Sequence, residues 1–269
     1  MSAVSAVVRW WPRAAALAAT VGAWWLVCDV LAAGDPVLSR TGPWSTATAL
    51  VELLGRRSTA LDVAASLRRL LLGLAVAGAA GVLLGLLLGS RRRLEHATAP
   101  VVAVLRMTSP LAWAPLAVVL LGVGDAPVTA LVAVAALWPV ALGTAHAVRT
   151  VDPALLAVAR SLGASRVEAL GTVVLPALRP HVLSSLRLAL GIGWVVLVPA
   201  EMLGVDSGLG YAVLNARDQL DYPRLAATIV LIGAVGFLLD RLLNVPAAPG
   251  ADLPGAAAAA GRVGAGERG

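Results

Sequence analysis

Apolar residues in this chain run together rather than alternating with polar ones. A helix rises about 1.5 Å per residue, so about 20 consecutive apolar residues cross the roughly 30 Å hydrocarbon layer of a bilayer. Six stretches meet or approach that length, at 14–33, 70–89, 99–121, 128–148, 182–202 and 225–240, the last being short and extended by its flanks. The pattern predicts an all-α membrane protein with about six transmembrane helices. The span at 70–89 is uncharged between Arg69 and the triplet Arg91, Arg92, Arg93, whereas the third and fifth spans carry Arg106 and Arg187. A charge in lipid costs on the order of 3 kcal/mol even on mild insertion scales, so these two arginines are expected to face protein or water, or to snorkel to a surface.

The spans divide the chain into an N-terminal arm (1–13), a membrane domain (14–243) and a tail (244–269). The first span contains Trp24, Trp25 and Asp29 and is not followed by a small-residue cleavage site, so it is expected to remain as an anchor rather than be removed as a signal peptide. Residues 34–69 read as a polar, partly amphipathic connector lying along the outer surface. Gly78, Gly81, Gly85 and Gly89 fall along one side of the second span, the spacing that lets two helix backbones approach closely in lipid. The tail is rich in Ala, Gly and Pro, cannot bury enough apolar surface to offset its ordering entropy, and is expected to be disordered.

Charge changes this picture little. The net charge of +6 and pI near 11.1 would point to nucleic acid in a soluble protein. Here all 21 basic residues are arginine and most flank apolar spans, which topology and lipid head groups explain, so nucleic-acid binding is set aside. Basic loops stay in the cytoplasm. Arg9, Arg13, Arg91, Arg92, Arg93, Arg149, Arg160, Arg166, Arg179 and Arg241 therefore favour placing both termini inside, against Arg40, Arg56, Arg57, Arg68, Arg69, Arg217 and Arg224 outside. The single cysteine, Cys28, cannot form a disulfide or a zinc cage within one chain and reads as a packing residue. His96, His146 and His181 are scattered near span edges and suggest no metal site. No GxxxxGK[ST] loop occurs and the chain has no lysine to complete one, so it has no such route to ATP hydrolysis.

The most informative segment is the long loop at 149–180, RTVDPALLAVARSLGASRVEALGTVVLPALRP. Asp152-Pro153 opens a helix. Leu155, Leu156, Ala159 and Leu162 recur at helical spacing, and Gly163 supplies a stop. A second short helix is expected from about Ser165 to Val173, before Leu175-Pro176 leads back to the membrane. This segment resembles the EAA loop of ABC importer permeases. Ala157-Val158-Ala159 stands at the triplet, Gly163 at the loop glycine and Val174-Leu175-Pro176 at the closing element, with Ala157 replacing the family's glutamate. The resemblance extends from about Leu67 to Leu243. It includes Ser66-Leu67-Arg68-Arg69, the stretch from Leu105-Arg106 to Ser109-Pro110-Leu111-Ala112-Trp113, Ala200-Glu201-Met202-Leu203, and Ser207-Gly208-Leu209-Gly210-Tyr211. These are similar to permeases for nitrate, sulfonate, taurine and related anions; the SPLAW stretch resembles the nitrate type and EMLGVDSGLGY the sulfonate and taurine branch.

The resemblance implies a type I ABC importer permease fold with a cytoplasmic coupling-helix loop, in the inner membrane. Two copies of the chain would form the pathway, two cytoplasmic ATPase subunits using ATP and Mg would dock beneath them, and an extracytoplasmic binding protein would deliver substrate. The coupling loop would carry Ala157, Ala159, Gly163, Leu175 and Pro176. Arg106 and Arg187 either attract the passing anion or snorkel to head groups. Glu201 either gates the pathway or forms a structural ion pair. Ser109, Pro110 and Trp113 mark a helix break that either opens polar backbone to a cavity or kinks the packing. Trp194 packs within or around the bundle. The loop with Ser207, Gly208, Gly210 and Tyr211 either meets the binding protein or is an ordinary connector. A secondary transporter would be expected to show paired repeats, and an integral-membrane enzyme a cluster of His, Asp or Glu at membrane depth; neither pattern is seen in the sequence.

Overall fold

The computed structural model describes residues 2–243 other than 33 and 36, so the tail at 244–269 lies outside the described residues. Those residues form an all-α, multi-pass membrane protein. Five helical segments among the described residues are long and apolar enough to cross a bilayer, and a bent pair of shorter helices makes a sixth if the pair is counted as one span.

The first helix, α1 (Ser2–Trp25), runs through the N-terminal arm without a break and widens into a π-type turn over Leu26–Leu31. Cys28 is buried there, 3.8 Å from the Thr41 hydroxyl. The connector is more helical than its polarity predicts. It holds α2 (Pro43–Leu54) and the first turns of α3 (Arg57–Ser90). At about 1.5 Å per residue, the 34 residues of α3 extend well past one hydrocarbon layer. The polar residues Asp62, Ser66 and Arg69 dilute the hydropathy without breaking the helix, because their side chains find partners elsewhere in the bundle.

The third crossing is broken. In α4 (Arg92–Met107) the helix ends at Thr108 and Ser109, both extended, before a short turn at Pro110–Trp113 and α5 (Ala114–Leu121). The two halves meet at 83°. Proline disfavours helical geometry in the residue before it and lacks a backbone N–H, which accounts for the break at Ser109-Pro110. Gly122 and Gly124 then turn the chain with positive φ into α6 (Asp125–Thr150).

The centre of the bundle is α3 against α6, with α6 also against α9 (Leu175–Glu201). Glycines set the α3–α6 separation. A Cβ at Gly85 would lie 2.5 Å from the Ala141 carbonyl oxygen and from Thr144 Cβ. Gly73, Gly81 and Gly89 are equally closed by α6, whereas Gly78 faces Leu186 of α9 at ordinary contact distance. The stripe facing α6 is therefore 73, 81, 85 and 89, because Gly78 is rotated off that face. Leu70, Val128, Val132, Trp194, Leu197 and Leu231 pack into the main apolar core.

Between α6 and α9 lie α7 (Pro153–Ser161) and α8 (Arg166–Ala169). The expected second loop helix does not stop before Leu175. It passes through a π-type turn at Leu170–Val174 directly into α9, giving one continuous apolar segment over Val167–Glu201. Pro176, at the first turn of regular α9, lacks an N–H to donate backwards, and the widened turn accommodates that missing bond. After α9 come α10 (Leu209–Asp218) and α11 (Tyr222–Leu243); α11 packs on α2 and α10.

Candidate functional site

Three places in the bundle gather the chemistry-bearing residues. The first is the knob formed by α7 and α8. The Asp152 side chain accepts from the Ala154 amide at 2.8 Å, capping α7. At the other end, Gly163 has φ +82°, the Ala164 amide donates to the Ala159 carbonyl and the Gly163 amide to the Arg160 carbonyl, each at 3.0 Å. That paired pattern is a Schellman motif, which closes a helix through a residue in the left-handed region. The next helix starts two residues later in a capping box: the Ser165 amide donates to Glu168 Oε2 at 2.7 Å and the Glu168 amide to Ser165 Oγ at 3.3 Å. The spacing Ser165-x-x-Glu168 is legible in the sequence and defines the hinge together with Gly163. Ala157 is exposed and Ala159 half-buried, while Leu162 and Val167 stand 82 % and 79 % exposed on either side of the turn. Leu175 and Pro176 lie beyond the knob, on the first turn of α9.

The second place is the break in the third crossing. A cavity of about 570 Å³ opens between the end of α4, α6 and α9, lined among others by Arg106, Thr108, Pro110, Pro139 and Ser185. Arg106 forms no hydrogen bond or ion pair among the described residues. Ser109 is the extended residue of the break. Trp113 lies on an adjoining apolar groove of about 530 Å³ with Trp138. Arg187 does not join Arg106: it donates to the Leu243 carbonyl at the end of α11 and lines a separate cavity with Ser184 and Asp240. Trp194 is buried in the core, its indole nitrogen 2.6 Å from where a Cβ on Gly236 would sit.

The third place, at the opposite end of the bundle from the knob, is a polar hub that joins residues far apart in sequence. Arg69 and Glu201, 132 positions apart, are 1 % and 0 % exposed, and Arg69 Nη1 donates to Glu201 Oε1 at 2.7 Å. Arg69 Nε donates to Asp125 Oδ1 at 2.6 Å, Nη1 also to the Ser207 carbonyl at 2.7 Å, and Nη2 to Ser207 Oγ at 2.8 Å. Ser66 Oγ donates to the Glu201 carboxylate at 2.9 Å and accepts from the Leu209 amide at 2.9 Å. The Gly210 amide donates to Glu201 Oε2 and the Gly208 amide to Asp62 Oδ1, each at 2.9 Å. Arg68 pairs with Asp125 at the exposed rim. The two arginines balance Asp125 and Glu201, so no charge in the pairing is left uncompensated. Ser207, Gly208, Gly210 and Glu201, each in a motif of the sequence, thus come together, while Tyr211 sits half-buried on α10. Asp62 and Asp125 sit in no motif, and their partners are defined only once α3, α6 and the loop after α9 are packed.

Among the described residues no group of three or more His, Cys, Asp or Glu is arranged to hold a metal ion.

Residues 81–245 match the family described as binding-protein-dependent transport system inner membrane component. The chain is 35 % identical over 224 residues to a probable ABC transporter permease protein of Brucella melitensis, covering 83 % of this chain and 89 % of that protein. It is 35 % identical over 181 residues to a bicarbonate transport system permease protein of Synechococcus elongatus, covering 66 % of this chain and 65 % of that one. It is likewise 35 % identical over 178 residues to a taurine transport system permease protein of Escherichia coli, covering 66 % and 65 %. Among solved structures, the MetNI methionine ABC transporter in inward-facing conformations superposes with a TM-score of 0.52 at 20 % identity, over 65 % of this chain and 91 % of that one, a likeness of fold.

Proposed function

Since the chain belongs to the family of binding-protein-dependent transport system inner membrane components, we propose that it is the membrane subunit of an ATP-driven importer that moves a small anion inward by alternating access. In this reading the knob end is cytoplasmic, with both termini on that side. Two copies form the pathway, ATPase subunits holding ATP and Mg dock under the knobs, and an extracytoplasmic binding protein meets the loop that carries Ser207, Gly208, Gly210 and Tyr211. The chain contributes mechanics and selectivity rather than bond chemistry.

The observation that carries the proposal is the knob. The helix α7, closed at both ends and joined through Gly163 to the capped start of α8, presents Leu162 and Val167 to solvent as an apolar tip. The second helix of the knob, α8, continues through the π-type turn into α9, so force on the tip passes along one continuous segment to Glu201 at the far end. The anion class is supported by Arg106, which lines the cavity at the helix break and forms no hydrogen bond or ion pair among the described residues, so that a visiting negative charge would offset its cost in the membrane. Two relatives named for bicarbonate and taurine transport agree with that class. Nitrate and sulfonates belong to it as well.

The test is copurification of the tagged chain with the products of its neighbouring genes, followed by ATPase assay in lipid with the binding protein and a panel of anions. ATPase subunits should copurify, and one anion with its binding protein should stimulate hydrolysis. Gly163→Pro, which removes the Gly163 amide from the Schellman pair and excludes φ +82°, should abolish that stimulation while leaving the chain in the membrane. Transport driven by an ion gradient with no associated ATPase would overturn the proposal.

A further inference from the structure

The polar hub has a specific asymmetry. Arg69 could satisfy the buried Glu201 with one nitrogen, yet two of its donors reach a single loop residue, Ser207, through both the carbonyl and the hydroxyl. Residues 202–208 form no helix or strand, so this stretch has no ladder of its own to hold it. It is instead tied at several points: Ser207 to Arg69, the Gly208 amide to Asp62, the Gly210 amide to Glu201, and the Gly204 carbonyl to the Gly124 amide at 3.0 Å. Gly208 has φ +106°, and a Cβ there would lie 2.5 Å from Glu201 Oε1 and 2.6 Å from Arg69 Nη1, so the loop backbone rests directly on the ion pair. With its polar backbone turned inward, the loop leaves Leu203 and Asp206 exposed.

We propose that Arg69 is a positioning residue that holds the Met202–Gly208 loop in a fixed shape for docking of the extracytoplasmic binding protein. This rests on the functional reading above. A loop that must be ordered on contact adds its conformational entropy to the cost of association, and a loop already held does not. The guanidinium suits the role because its planar fork reaches Asp125, Glu201 and Ser207 at once, which the single ammonium of lysine cannot do.

The test uses the assembled complex of permease and ATPase in lipid nanodiscs, titrated with the binding protein. In Arg69→Lys and Gly208→Ala, the binding-protein concentration for half-maximal ATPase stimulation should rise about tenfold or more, with the rate at saturation within about twofold of wild type. Amide exchange across 203–210 should accelerate in the same variants. An unchanged half-maximal concentration, or a lower saturating rate without a shift in that concentration, overturns the positioning role and leaves the hub as a stabilising or gating contact. Should either variant fail to assemble, Asp62→Asn, which leaves the Arg69–Glu201 pair intact, should give a smaller shift in the same direction; no shift there also overturns the proposal. A wild-type complex that the binding protein does not stimulate overturns both this role and the importer reading, whereas a normal wild-type response with unshifted variants overturns only this role.

Discussion

Arg69 and Glu201 illustrate how a buried charge is tolerated only as one member of a satisfied set. Glu201 accepts from Ser66, Arg69 and the Gly210 amide, and Arg69 donates to Asp125, Glu201 and Ser207. Removing one partner leaves the other ionised and desolvated, at a cost of about 3–5 kcal/mol, whereas replacing both with apolar groups costs less than the sum. Arg69→Met should therefore lower thermal stability in detergent sharply, and Arg69→Met with Glu201→Leu should recover part of it, as read by Tm. Strictly additive losses would mean that the two charges are not coupled. Gly85 is constrained by space instead of charge: with the Ala141 carbonyl and Thr144 Cβ each 2.5 Å from a notional Cβ, Gly85→Val should force α3 and α6 apart and destabilise by roughly 1–3 kcal/mol, measurable in the same assay. The glycine stripe was legible from spacing, but its membership was not. Which glycines face α6 depends on the rotation of α3, and that rotation is set by packing.

At the scale of elements, the knob formed by α7 and α8 is the part most open to reading, because caps are local. Asp152, Gly163, Ser165 and Glu168 each act within a few residues of themselves, so their side-chain and backbone bonds follow from sequence spacing. Asp152→Ala should cost about 1 kcal/mol of α7 stability, seen as faster amide exchange over Pro153–Ser161 with the spans unaffected. The third crossing was less legible. Ser109-Pro110 announces a break, yet nothing in the residues fixes the 83° angle, which results from how α5 settles against α6. The continuity of α8 with α9 is not legible in the residues either, since proline usually marks a boundary, whereas a π-type turn here carries the helix past it.

For the whole molecule, the expected behaviour is that of a charge-selective passage driven from one end. If the cavity at the helix break conducts the anion, Arg106→Gln should reduce anion-stimulated ATPase activity and uptake at least tenfold, while binding-protein docking and complex assembly remain at wild-type levels. An unaltered anion response would assign Arg106 to the lipid surface instead. The sequence by itself determined that the chain enters a membrane, roughly where it crosses, and that a capped helical knob interrupts the crossings. Each of these follows from the transfer energy of one apolar stretch, or from hydrogen bonds closed within a few residues, so no distant part of the chain is needed to decide them. Only the tertiary structure decided that Asp62, Ser66, Arg69, Asp125, Glu201 and Ser207 form one hub, that Arg106 lines a cavity while Arg187 turns toward α11, and that Gly73 rather than Gly78 meets α6. Lipid is as apolar as the helices it surrounds and gives them no hydrophobic reason to choose one neighbour over another. Partner choice is left to shape, close backbone approach and a few polar contacts, and those exist only after the helices have come together.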